Sequence, residues 1–138
     1  FMNILKKLFH RKAKEPEMSE KARALYSKYS DLDISQDTSL EKLIGILNND
    51  EEFADFIRGA ERHAIIDGRD SPQGYSGTSL IYDLKRGLYI RDWIGMCEIS
   101  DCESIVPATD ESIRRYFSKS SESLRRSILE YLKSDGKW

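Results

Sequence analysis

The sequence predicts a mostly helical α+β domain, a compact bundle of about five to seven helices carrying one β-hairpin near residues 79–94. Three observations lead there. Apolar stripes at helical spacing, opened by Ser, Thr or Asp, recur on both sides of the chain's centre. Between them, residues 74–96 (GYSGTSLIYDLKRGLYIRDWIGM) scatter their apolar side chains all round a helical wheel, so a helix there would need burial on every side. As strands the same residues are orderly. Leu80, Tyr82 and Leu84 alternate with Ile81, Asp83 and Lys85, Lys85-Arg86-Gly87 offers a turn with glycine where positive φ is needed, and Leu88 to Ile94 returns. The alternative is an all-α fold with 79–96 as a buried central helix.

The chain's 138 residues, 39% hydrophobic and 33% charged, suit a single domain over 1–138 that buries its core without disulfides. Phe1 ahead of Met2 makes Met2 the expected natural start. No apolar run approaches the ~20 residues of a membrane span, and no secretory signal is legible. Cys97 and Cys102 suit a reducing compartment, so the expected location is cytoplasmic. The net charge of −2 is unevenly spread. Residues 1–14 hold five bases and no acid, while 15–57 hold eleven acids against four bases.

That basic start is an amphipathic N-terminal arm over 2–14, with Ile4, Leu5, Leu8 and Phe9 on one helical face. So short a helix is marginal alone in water and must dock, either on its own domain or, through residues 2–12, on an anionic membrane. Pro16 ends it. Ser19 is placed to cap a helix with Ala22, Leu25, Tyr26 and Tyr29 inward. Thr38 and Glu41 form a capping box ahead of Leu40, Leu43, Ile44 and Leu47. A further helix starts at Asp50, with Phe53, Phe56, Ile57, Ala60 and Ala64 inward and His63 near its end. Residues 67–74 read as a loop. MCEISDCESIVP offers a third short strand, Thr109 opens a helix on Ile113, Tyr116 and Phe117, and a last helix from Ser121 turns Leu124, Ile128, Tyr131 and Leu132 inward.

Chemistry-bearing patterns are sparse. His63 with Glu61 and Asp67 could form an acid–base pair, which keeps a small enzyme as an alternative, but a histidine in a helix's last turn is favoured by the dipole alone. Cys97-x4-Cys102 lacks the repeated cysteines or histidines of a zinc site. Neither a phosphate loop nor a nucleophile elbow is present, so no metal, cofactor or catalytic residue is assigned. Arg114-Arg115 and Arg125-Arg126 alternate with acids, which reads as a salt-bridged helix face and not as a nucleic-acid contact.

Surface recognition remains. Asp50, Glu51, Glu52 and Asp55 lie within six residues, with Asp31 and Asp33 upstream. With Tyr82 and Trp93 as possible anchors, they are the candidate contacts for a basic protein partner. The MNILKKLFHRK start, the acidic stretch from Glu15 to Asp55, the single domain and the missing catalytic set resemble small bacterial immunity proteins of contact-dependent inhibition and colicin-like systems. The resemblance implies a cytosolic, non-enzymatic antitoxin that blocks a nuclease toxin domain. A membrane-peripheral adaptor working through residues 2–12 is the alternative.

Overall fold

The computed structural model describes residues 17–34, 40–69, 76–96 and 99–137. Its frame is a four-stranded antiparallel sheet in the order β1 (Ala64–Arg69), β2 (Ser76–Asp83), β3 (Gly87–Met96) and β4 (Ile99–Pro107). Five helices accompany it among the described residues: α1 (Glu20–Ser30), α2 (Leu40–Asn48), α3 (Glu51–Gly59), α4 (Asp110–Phe117) and α5 (Ser121–Lys133). The expected bundle with a single hairpin is therefore overturned, and so is the all-α alternative. The hairpin is the middle of a meander.

Two local effects hid the first strand, whereas the last lies within the MCEISDCESIVP run that offers a third short strand. Ala60 and Ala64 continue the apolar spacing of Phe56 and Ile57, so the α3 stripe reads on toward His63. Instead α3 stops at Gly59, where Ala60 turns extended (φ −80°, ψ 147°) and its N–H bonds to the Ile57 carbonyl. The Arg62 carbonyl accepts a hydrogen bond from the Tyr131 hydroxyl, and the Arg62 N–H donates to Gly136 O at 2.9 Å, which steers the chain into β1. There an irregularity between Ala64 and Ile66 breaks the alternation expected of a strand. Residues 67–69, read as loop, belong to this strand.

The β2–β3 turn follows from its residues. Gly87 has φ +72°, as a turn returning to a strand requires. Asp83 accepts the N–H groups of Lys85 and Arg86 at 2.6 and 2.8 Å, and Asn48 Oδ1 at the end of α2 accepts the Leu88 N–H at 2.8 Å. An added Cβ at Gly87 would sit 2.7 Å from that same Asn48 Oδ1.

The core lies between the helices and one sheet face. In register, Leu80 pairs with Ile90 and Tyr82 with Leu88, and all four are at most 3% exposed. Phe53 is the hub, its ring 5.1 Å from Tyr82 and 6.2 Å from both Tyr29 and Tyr131. It thereby joins α1, α3, α5 and β2. The capping signals at Ser19 and Thr109 are realised: Ser19 accepts from the Ala22 N–H, and Thr109 forms a reciprocal box with Ser112. Ser120 and Ser123 form a second such box ahead of α5. The arm at 2–14 and the Thr38 cap lie outside the described residues. Among those described, no helix is long and apolar enough to cross a membrane.

Candidate functional site: the acidic corner of helices α1 and α3

Two ion pairs set the geometry of this corner. Lys21 at the start of α1 meets Asp55 at 2.7 Å, and Lys28 near its end meets Asp50 at 2.9 Å. The pairs match the early part of α1 to the later part of α3, so the two helices run antiparallel.

Asp50 is the N-cap of α3, its Oδ1 accepting the N–H groups of Glu52 and Phe53 at 3.0 and 3.2 Å. Its Oδ2 accepts the Tyr29 hydroxyl at 2.7 Å, and the residue is 7% exposed. Burial pushes its pKa up, but the hydrogen bonds from Tyr29, Lys28 and the Phe53 N–H outweigh that and hold the carboxyl below its ordinary value. Burial, and then the bond to this carboxylate, push the Tyr29 hydroxyl far up, so it stays a donor. The neighbouring Tyr82 is raised by burial first and by the Asp50 charge second.

Asp50 and Tyr82 thus belong to the interior. Tyr82 is 3% exposed against Phe53, and neither residue presents a surface to a partner. Their burial is decided by α1 and the sheet closing over them, which the acidic run alone does not disclose.

Glu51 and Glu52 occupy the first turn of α3 and are exposed, as is Asp55 one turn on. The hydrogen bond and charge of Lys21, with a smaller contribution from Arg58, hold the Asp55 carboxyl below its ordinary value. Glu20 joins them from α1. Together with Lys21, Ala24 and Leu25, the side chains of Glu20, Glu52 and Asp55 line a surface pocket of about 440 Å³. Three carboxylates and one ammonium leave it acidic, with Ala24 and Leu25 as an apolar floor. Such a pocket suits the stem and head of an arginine or lysine. Glu20 was legible only as a helix-start acid; its place opposite Glu52 depends on the packing of α1 on α3.

Asp31 is the C-cap of α1, and Asp33 follows it; both are exposed. They trail the end of α1 that lies against the start of α3. Arg125 holds this segment by donating to the Leu32 carbonyl at 2.7 Å while pairing with Glu122 at 2.7 Å. Arg114 is likewise paired with Asp110, at 3.0 Å, as a salt-bridged helix face requires.

Trp93 lies apart from these acids, on the sheet face away from the core. It pairs with Gly77 across β2 and β3, and the Arg91 guanidinium sits 5.7 Å from its ring centre. His63 is exposed in the link between α3 and β1, four residues past the end of the helix expected to carry it, and its carbonyl accepts the Tyr82 N–H at 3.0 Å. The side chains of Cys97 and Cys102 lie outside the described residues. No protein-family model, curated protein or solved structure matches this chain.

Proposed function

We propose that the protein is a cytosolic, non-enzymatic binding module that engages a basic protein through the α1–α3 corner. Its most specific form is an immunity protein neutralising a bacterial nuclease toxin. The observation that carries this reading is the pocket of about 440 Å³ where Glu20, Glu52 and Asp55 converge, with Glu51 exposed beside it. Nuclease domains hold a polyanion and are therefore basic around their clefts. An acidic corner complements such a surface, speeds encounter and orients it.

The test is protection of a host. The chain is co-expressed with the product of the reading frame next to its own in the native genome, and growth is followed. Growth arrest by that product alone, relieved by the wild-type chain, is the expected result. The variant Glu51→Lys, Glu52→Lys, Asp55→Lys should relieve it less, and purified pairs should associate more slowly at low salt. Because the Debye length shrinks from ~10 Å at 0.1 M to ~3 Å at 1 M salt, the difference between variant and wild type should close as salt rises. Equal protection by the variant would remove this corner from the interface, and a neighbouring product without toxicity would remove the immunity reading.

A further inference from the structure

The acidic corner holds a hollow, and single residues account for it. Glu20 and Ala24 lie four apart on α1, and Glu52 and Asp55 three apart on α3. Each pair therefore shares a helix face, and the four border the groove between the antiparallel helices. Ala24 is exposed, and to either side of it on α1 Lys21 and Lys28 reach across to Asp55 and Asp50. Its single methyl does not fill the space between those two bridges, and Leu25, 1% exposed, closes the bottom. The result is the pocket of about 440 Å³, within the roughly 300–1,000 Å³ of sites that take small ligands or single side chains.

The three carboxylates of this pocket are not equivalent. Asp55 is engaged on both oxygens, by Lys21 at 2.7 Å and by Arg58 at 3.4 Å. No hydrogen bond or ion pair between described residues reaches the carboxylate of Glu20 or of Glu52. We propose that the pocket receives one arginine side chain of the partner, its guanidinium between Glu20 and Glu52 and its stem on Ala24 and Leu25, with Lys21 as the contact that limits affinity. This rests on the reading of the corner as a surface for a basic protein. It adds which side chain enters and which residue of the chain opposes it.

The preference for arginine follows from the placement of the charges. A lysine ammonium is a compact, strongly hydrated point charge, and Lys21 already supplies one to Asp55. A guanidinium is planar and more weakly hydrated, and it directs its N–H donors in a fixed fork, so one group can serve carboxylates on two different helices. Its methylene stem lies on the apolar floor while the charged head meets Glu20 and Glu52 at the rim. Lys21 works against the visitor. Its ammonium offsets one of the three negative charges and repels an incoming cation, so the free chain holds part of its own attraction in check.

The test uses the full chain and two probes, N-acetyl-arginine methylamide and its lysine counterpart. Each is titrated at low salt while the backbone amide resonances of Ala24, Leu25 and Glu52 are followed. The arginine probe should shift these amides to saturation and bind about threefold tighter than the lysine probe. Ala24→Leu fills the hollow and keeps every charge, and it should abolish the saturable shifts. Ala24→Gln fills the same space with a polar side chain and should do likewise, so misfolding of one variant does not decide the result. Glu52→Gln should weaken arginine binding about threefold and Lys21→Met should tighten it about threefold, each the size of one exposed charge pair. Equal affinity for the two probes, or saturable arginine binding that survives both substitutions of Ala24, overturns the proposal. Such a failure is distinct from failure of the acidic corner itself, which charge reversal in the host-protection test decides, because the Ala24 variants alter shape and not charge.

Discussion

Asp50 and Asp83 each accept two backbone N–H groups just downstream, from Glu52 and Phe53 at 3.0 and 3.2 Å and from Lys85 and Arg86 at 2.6 and 2.8 Å. In both the aspartate shapes a chain reversal, starting a helix in one case and a hairpin turn in the other. The difference lies in the second oxygen. That of Asp50 is enclosed by Tyr29 and Lys28, at 2.7 and 2.9 Å, whereas that of Asp83 faces Arg86 at 3.4 Å on the surface. Local bonding being equal, the enclosure decides how much each carboxylate contributes. A buried acceptor's loss leaves partners that water cannot reach, and an exposed one's does not.

The largest effect should follow Asp50→Ala. It removes a helix cap, ~1 kcal/mol, and leaves the buried Tyr29 hydroxyl without its acceptor, a further ~1–3 kcal/mol. Denaturant unfolding should show a loss of roughly 3 kcal/mol, and a loss no greater than that of Asp83→Ala would break the comparison. Gly87→Val should come next, at about 2–3 kcal/mol, because valine is strained at φ +72° and its Cβ displaces the Asn48 group that bonds Leu88. A near-neutral result would mean that the turn relaxes to another form.

Asp83→Ala should cost about 1 kcal/mol, since Lys85 and Arg86 N–H groups freed at an exposed turn can bond to water. The pH dependence sharpens the contrast further. The folded Asp50 pKa lies below the unfolded value, so its contribution is fully present above pH ~4 and is lost as pH falls through the folded pKa. The stability gap between wild type and Asp50→Asn should therefore narrow below pH ~4, as read from urea midpoints. A gap that widens on acidification would reverse the assignment. The smallest change should come from Glu51→Gln with Glu52→Gln, at about 0.5–1 kcal/mol, the helix-dipole contribution of two exposed first-turn acids. A larger loss would show that these residues, too, are structural.

These contrasts mark where the sequence was informative. Ser19, Thr109 and the α5 stripe of Leu124, Ile128, Tyr131 and Leu132 declare themselves locally, because caps and helical spacing act within a few residues. Gly87 declared the turn for the same reason. The four carboxylates from Asp50 to Asp55 looked alike, and one of them is a core residue. Their sorting depends on Tyr29 and Lys28, more than twenty residues earlier in the chain.

The sequence by itself determined the inward stripes of the five described helices, the caps at Ser19 and Thr109 and the central β2–β3 reversal, since each rests on contacts closed within one or two turns of chain. Only the tertiary structure decided that His63 leads into a strand and that Ile99–Pro107 completes a four-stranded meander. It also decided that Asp50 and Tyr82 are interior while Glu20 joins the acidic corner. A strand has no hydrogen-bond partner within itself, so β1 and β4 exist only because β2 and β3 lie beside them. Burial, likewise, belongs to the packed ensemble: Asp50 is buried because α1 lays Tyr29 and Lys28 over it, and nothing in the run Asp-Glu-Glu-Phe-Ala-Asp announces that.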